Sequence, residues 1–385
     1  LALNGFVQGI FLSGGDEMND SAYMNLALQL AKKGRGWTSP NPMVGAVIVK
    51  NGKIIGQGWH EAYGRPHAER NALETCTENP KGAVMYVTLE PCCHYGKQPP
   101  CTEAIINAGI SRVVTGSADP NPKVDGKGIQ ILLEHGIKVT EHVLQEECDR
   151  LNEVFFHYIL TKRPFVVMKY AMTMDGKIAA YTGASKWITG ETARNHVWKQ
   201  RRRYTAIMAG VGTVLADDPM LDGRIKNGKN PIRIICDTRL RTPLHAQVIS
   251  TAEQIPVILA TCCNDRDRKR IYEEKGCRIF TVEEKEGHVN LEKLMERLGR
   301  EQIDSILLEG GGTLNWAALE SGIVQKVQAY IAPKLFGGEK AKTPVEGAGV
   351  EFPSSAFQLK NSTVIRLGED ILIESEVKPN VHGDY

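Results

Sequence analysis

Aromatic residues make up only 6% of this chain. No stretch approaches the roughly 18 consecutive apolar residues that a membrane span requires. Neither sign of charge dominates: the formal net charge is +2, which supplies no broad basic footprint for nucleic acid and no reason to expect an acidic partner. A clear secretory signal is missing too, because the mildly apolar residues 1–15 lack a basic start and a clean cleavage site. There is no fixed-period repeat and no low-complexity tract. What remains is an ordinary globular composition, 42% hydrophobic and 24% charged, in 385 residues, which is too long for one typical core and predicts two domains. The nine cysteines are an odd number without a secretory context. Reduced thiols in the cytoplasm are therefore expected, and clustered Cys and His point to metal before disulfide. Met18 reads as a natural start, which makes residues 1–17 an added extension.

The pattern along the chain is α/β. Asn19 to Lys33 predicts an amphipathic helix capped by Asn19, Asp20 or Ser21 and stopped by Gly34. Met43–Lys50 and Lys53–His60 flank Asn51-Gly52, a pair suited to the positive φ angles of a tight hairpin turn. Helices near 67–78, 102–108 and 128–135 then alternate with strands near 83–90, 111–117 and 138–141, predicting helices over a mostly parallel sheet. A helix over Glu146–Leu160 is broken by Thr161-Lys-Arg-Pro164, where the domain boundary is placed. The first domain is thus expected over 18–161 and the second over 164–377. The second half restarts at Phe165, with strands near Thr205, Ile232, Pro256, Arg278, Ser305 and Val327 and a final hairpin around Leu367–Asp370.

Pro66-His67-Ala68-Glu69 and the stretch from Pro91-Cys92-Cys93-His94 to Cys101 carry the clearest chemistry. One imidazole and two thiolates suit zinc, and three protein ligands, His67, Cys92 and Cys101, leave a fourth position for water. His67 and Glu69 are two apart and would not share a face in mid-helix. They converge only if His67 stands at the helix entry, where Pro66 puts it. Helix N-termini favour the thiolates that zinc needs. Glu69, not required as a ligand, is free to move protons from the activated water to departing ammonia, the arrangement of nucleobase deaminases. The competing reading is a closed structural zinc site with Cys93 or His94 as fourth ligand. It leaves Pro-His-Ala-Glu as coincidence and asks adjacent residues to reach one metal. The generic signature has its second Cys three positions after the first. Here nine positions separate them, so Cys93 to Pro100 forms an inserted loop beside the site.

In the second half, Ser305–Glu309 predicts a strand, Gly310–Gly312 a turn and Thr313–Glu320 a helix, a combination that lets backbone N–H groups approach a phosphate. It is not a Rossmann fingerprint. Gly210-Val-Gly-Thr213 supplies a second such turn, whereas Gly337-Gly338 reads as a plain one. Arg201-Arg-Arg203 closes a helix, where cations suit the helix dipole and one could meet a sugar phosphate. No general acid for hydride transfer stands out.

Thr88-Leu-Glu-Pro-Cys-Cys-His-Tyr-Gly-Lys-Gln-Pro-Pro-Cys101, with Asn41-Pro-Met-Val-Gly45 and Asp119-Pro-Asn-Pro122, resembles the zinc domain of the bifunctional deaminase/reductase family of riboflavin biosynthesis. The resemblance continues through Met174-Asp-Gly-Lys177, Ser185-Lys-Trp-Ile-Thr189, Gly212-Thr-Val-Leu-Ala-Asp-Asp-Pro219, Glu309-Gly-Gly-Gly-Thr313 and Ala332-Pro-Lys-Leu-Phe-Gly-Gly338, covering about Met18 to Val377. It implies a cytidine-deaminase-like α/β/α domain followed by a dihydrofolate-reductase-like α/β domain. It also implies one Zn2+ per chain, NADPH, a pyrimidine ribose phosphate substrate and a homo-oligomer. By motif position, Asn41, His60, His94, Lys97 and Asn121 would hold the deaminase substrate. Ala171, Trp187, Thr213, Asp217, Thr238, Gly311, Gly312, Thr313, Leu314 and Asn315 would line NADPH. Ser185, Arg201, Leu221, Arg224 and Glu309 would line the reductase substrate. A nucleic-acid deaminase is disfavoured by the neutral charge and few aromatics. A zinc-stapled module without turnover is disfavoured by the intact His67, Glu69, Cys92 and Cys101 set.

Overall fold

Asn19 starts the first helix because its side chain accepts the Ala22 N–H at 3.0 Å, choosing among the three expected caps. The computed structural model describes residues 19–224 and 229–378, so the reading of residues 1–17 and Met18 lies outside the described residues. The chain divides between Phe156 and His157 into two compact units. Among the described residues, no helix is long and apolar enough to cross a membrane.

In the first unit, β1 (Gly45–Lys50), β2 (Lys53–Trp59), β3 (Val84–Leu89), β4 (Arg112–Ser117) and β5 (Lys138–Thr140) form one sheet in the order β2-β1-β3-β4-β5. It is mixed, not mostly parallel. β1 runs antiparallel to both β2 and β3, and only β3/β4 and β4/β5 are parallel. The β1/β2 direction is set locally: Asn51 and Gly52 take φ of 49° and 75°, and so tight a turn can only return the chain antiparallel. α1 (Asp20–Ala31) lays Met24, Ala27 and Leu28 on Val47, Tyr86 and Val114 of the sheet. α2 (Ala68–Glu74) lies directly on β2, because a Cβ at Gly58 would collide with the backbone at Ala68 and Ala72. α3 (Cys101–Asn107) and α4 (Lys127–Glu134) precede β4 and β5. The helix expected over 146–160 is two, α5 (Gln145–Leu151) and α6 (Glu153–Thr161). Asn152 interrupts it because its amide donates to Met43 O and accepts from Met43 N, at 3.0 and 2.9 Å.

The second unit contains β6 (Phe165–Thr173), α7 (Glu191–Arg201), β7 (Ala206–Gly210), α8 (Val211–Asp217), β8 (Ile232–Cys236), α9 (Gln247–Ser250), β9 (Val257–Thr261), α10 (Arg266–Glu273) and β10 (Arg278–Thr281). A small hairpin, β11 (Glu284–Lys285) with β12 (His288–Val289), leads to α11 (Leu291–Arg300), β13 (Ser305–Leu308), α12 (Gly312–Glu320) and β14 (Val324–Ala332). β15 (Leu359–Leu367) and β16 (Asp370–Val377) make the expected C-terminal hairpin. The sheet order is β10-β9-β8-β7-β13-β6-β14-β16-β15, parallel from β10 to β14 and antiparallel beyond. Ile234, Ile258 and Leu308 pack with Leu294 and Leu298 of α11 in its main core. In an open parallel sheet, the loops leaving the C-terminal strand ends gather along one edge and form the usual crevice.

Candidate active sites

His67 stands just before α2, in extended backbone with φ −76° and ψ 165°, so it is a cap and not part of the helix. Glu69 then falls in the first helical turn and is buried. This resolves the two-residue spacing. Cys101 opens α3, and its N–H donates to Cys92 Sγ at 3.4 Å. His67 Nδ1 lies 3.5 Å from Cys92 Sγ and 3.4 Å from Cys101 Sγ. All three ligand atoms fall within 4.8 Å of one another, and their chemistry fits a divalent zinc.

The electrostatics are those of a site arranged for a cation. A hydrogen bond from Cys101, backed by His67, holds the Cys92 thiol down to about 4, while the same bond keeps Cys101 protonated well above the usual thiol range. His67 is pushed up chiefly by its bond to Cys92, and Glu69 is pushed up by burial and then by the Cys92 charge. Metal binding at such ligands expels their protons.

Of the expected substrate residues, His60 adjoins this centre directly and Asn41 through His60. His60 is buried, with Nδ1 3.1 Å from Pro66 O and Nε2 3.3 Å from Asn41 Nδ2. A carbonyl only accepts, so Nδ1 carries the proton and Nε2 accepts from Asn41. Burial lowers the His60 pKa, which favours this neutral form. The ring also meets His67 edge-on, with centroids 5.3 Å apart. Lys97 lies over Tyr63, 3.9 Å from the ring centroid, and Arg70 donates to Pro99 O and Pro100 O. The inserted loop is therefore tied to both α2 and the 60–66 segment. His94 has a buried Nδ1 without a hydrogen-bond partner among the described residues. Asn121 sits in a turn, its N–H donating to Asp119 Oδ1 at 2.9 Å.

Two further carboxylates, Glu90 and Asp119, carry no sign of a site role in the sequence, although both lie in motifs shared with the family. Glu90 accepts four backbone N–H bonds, from Asp119, Gly126, Gly128 and Ile129, at 3.0–3.3 Å. It thereby fixes the loop that carries Asn121. Asp119 is buried, which raises its carboxyl to about 7, with Glu90 and Cys92 adding to the rise. An acidic letter in a sequence does not announce its burial.

In the second unit both glycine turns leave the C-terminal ends of neighbouring strands, β7 and β13. They adjoin, since a Cβ at Gly311 would stand 3.9 Å from Thr213 Oγ1 and one at Gly210 3.6 Å from Leu314. Thr213, Gly311, Gly312 and Leu314 are thus brought together. Asn315 is buried and donates to Pro344 O at 2.8 Å. Ser185 Oγ donates to Asp217 Oδ1 at 2.8 Å, joining a residue expected at substrate to one expected at cofactor. Trp187 is exposed with the Arg194 guanidinium 4.8 Å from its ring centroid. Ala171 and Thr238 stand near the C-terminal ends of β6 and β8, the strands that flank β13 and β7.

Glu309 is gripped by Arg201 through two parallel bonds of 2.7 and 2.9 Å, and by Lys169 at 3.4 Å. Burial pushes its carboxyl up, but the Arg201 and Lys169 cations outweigh burial and hold it down to about 2. Arg201 also donates to Asp222 O at 3.0 Å, and Arg224 lies over Trp198, 4.6 Å from its centroid. Lys169 was not legible as part of this group, because one lysine in a strand carries no signal of burial.

A family model described as the RibD C-terminal domain matches residues 164–373, and another, the cytidine and deoxycytidylate deaminase zinc-binding region, matches residues 17–117. The riboflavin biosynthesis protein RibD of Actinobacillus pleuropneumoniae is 53% identical over 93% of this chain and 95% of its own. The chain belongs to the RibD family. RibD of Escherichia coli is 40% identical over 92% of this chain and 99% of its own length. A solved Acinetobacter baumannii RibD matches with a TM-score of 0.84 and 36% identity, covering 93% of this chain and 99% of that one. A Thermotoga maritima structure, a diaminohydroxyphosphoribosylaminopyrimidine deaminase/5-amino-6-(5-phosphoribosylamino)uracil reductase, matches with a TM-score of 0.81 and 38% identity over 93% and 99%. As a RibD-family member the chain is a bifunctional riboflavin-pathway enzyme. It joins a cytidine-deaminase-like zinc-binding deaminase domain to a reductase domain.

Proposed function

We propose that residues 18–161 deaminate 2,5-diamino-6-ribosylamino-4(3H)-pyrimidinone 5′-phosphate and that residues 164–377 reduce the resulting 5-amino-6-(5-phosphoribosylamino)uracil with NADPH. The observation that carries the first half is the convergence of His67, Cys92 and Cys101 beside the buried Glu69. These three residues would hold one Zn2+ per chain, which supplies Lewis-acid activation of water near neutral pH. Glu69 accepts the proton of the attacking water and delivers it to the leaving ammonia. His60, with Nδ1–H committed to Pro66 O, keeps Asn41 oriented toward the pyrimidine. His94 and Lys97 of the inserted loop and Asn121 complete the pocket.

In the reductase, NADPH supplies the hydride that converts the ribosyl group to ribityl. Gly311–Leu314 and Thr213 offer backbone N–H groups for its phosphates, with Asn315, Asp217, Trp187, Ala171 and Thr238 along the same edge. Arg201, Arg224, Leu221, Ser185 and Glu309 receive the phosphorylated sugar. The reading includes a cytoplasmic homo-oligomer; free cysteines at all nine positions fit a reducing compartment.

The test follows metal, ammonia and NADPH together in one coupled assay. Wild type should hold about one zinc per chain and release ammonia before NADPH is consumed. Cys92→Ser and Cys101→Ser should lose zinc and ammonia release, whereas Cys93→Ser should keep most of both. Loss of zinc from Cys93→Ser alone would overturn the ligand assignment, and equal efficiency with NADH would overturn the coenzyme assignment.

A further inference from the structure

The segment from Asp218 to Arg224 holds a backbone that ordinary residues avoid. Asp218, Leu221 and Arg224 have φ of 39°, 51° and 47°, left-handed positions without a glycine among them. Such residues persist only where their surroundings over-determine them. Leu221 is buried, and the carbonyls on either side of it are each held by a guanidinium. Arg201 donates to Asp222 O at 3.0 Å, and Arg233 donates to Met220 O at 3.2 Å.

Arg233 is fully buried on β8. Its hydrogen bonds go to neutral oxygens: Met220 O, Thr251 Oγ1 at 2.8 Å, Thr251 O at 3.1 Å and Ile255 O at 2.5 Å. Among the described residues no carboxylate hydrogen-bonds to it and its Nε has no partner, although the nearby Asp222 charge favours the cation. Burial pulls this guanidinium down to about 10, so it is still a cation at neutral pH. A buried cation is costly, and an apolar side chain would fill the same space more cheaply if packing were the only demand.

We infer that Arg233 is a positioning residue of the reductase: by fixing the Met220 carbonyl it sets the left-handed turn that presents the Leu221 backbone and the Arg224 side chain to the phosphorylated sugar. The inference rests on the assignment of those two residues to the substrate. A displaced turn would also take Arg224 off Trp198.

The experiment uses the full-length, zinc-loaded protein with Arg233→Met, Arg233→Lys and Arg224→Ala. In Arg233→Met the KM for the deaminated pyrimidine phosphate should rise about tenfold, the scale of one lost charge-assisted hydrogen bond. Arg233→Lys should rise less and serves as the readout if the methionine variant does not fold. The KM for NADPH and the rate of ammonia release should stay within about twofold of wild type, as expected for loss of one uniform binding contact. Hydrogen exchange should quicken at Leu221–Gly223 and leave β8 and β9 protected. An unchanged substrate KM, or parallel rises in both KM values with exchange spreading through β8 and β9, would overturn the proposal. If Arg224→Ala raises the substrate KM and both Arg233 variants do not, Arg233 alone is misassigned. If Arg224→Ala has no effect, the substrate assignment fails and takes the proposal with it.

Discussion

Glu309 is a carboxylate, its side chain only 9% exposed, whose charge depends on two neighbours. Arg201 and Lys169 keep it ionised down to about 2, against an ordinary value of 4.5. A depressed folded-state pKa contributes stability that is fully present above the unfolded value and is lost as pH falls through the folded one. Replacing Glu309 by Gln leaves both cations without a counter-charge, a change typically worth about 3 kcal/mol or more near neutral pH. The gap in unfolding free energy between wild type and Glu309→Gln should therefore be largest above about pH 5 and narrow steadily toward pH 2. Denaturant titrations at a series of pH values measure it. A gap that stays constant from pH 7 to pH 2 would mean that the charge of Glu309 does not matter to the fold. The same cluster shows the limit of reading residues singly. Arg201 and Glu309 are legible from motif position, but Lys169 joins them only because β6 and β13 are neighbours.

At the scale of elements, Glu90 makes a loop-sized statement. Its two oxygens accept N–H bonds from both ends of the segment between β4 and α4, and that segment carries Asn121. Glu90→Gln keeps the size but turns one acceptor oxygen into a donor, so it loses about two of these bonds. Deaminase kcat/KM should fall about ten- to a hundredfold, zinc content should hold, and reduction of deaminated substrate should be unchanged. Zinc loss in step with activity would show instead that Glu90 supports the metal ligands and not the loop. Local patterns made much of this architecture legible. Asn51-Gly52 specified its hairpin, Pro66 placed His67 at the helix entry, and the Pro164 break preceded β6. Strand direction was less legible. The antiparallel β1/β3 pairing depends on which strand lies beside which, and alternating helices and strands do not encode that. The interruption at Asn152 was hidden for a similar reason, since its partner, Met43, is 109 residues away.

At the scale of the whole molecule, the chain divides into two compact units, and each holds its own cluster of chemical groups. His67, Glu69, Cys92 and Cys101 belong to the first, and the paired glycine turns and the Arg201–Glu309 pair belong to the second. If one chain carries two separate catalysts, Glu69→Gln should silence one and spare the other. The substitution keeps the side-chain size and all three zinc ligands while removing the carboxylate that moves protons. Ammonia release should drop by about 10²–10⁴-fold, the usual contribution of general acid–base catalysis. Given substrate that is already deaminated, the same zinc-loaded protein should oxidise NADPH at nearly the wild-type rate. Loss of that NADPH oxidation in a folded, zinc-loaded Glu69→Gln protein would place Glu69 in a shared site and contradict the account.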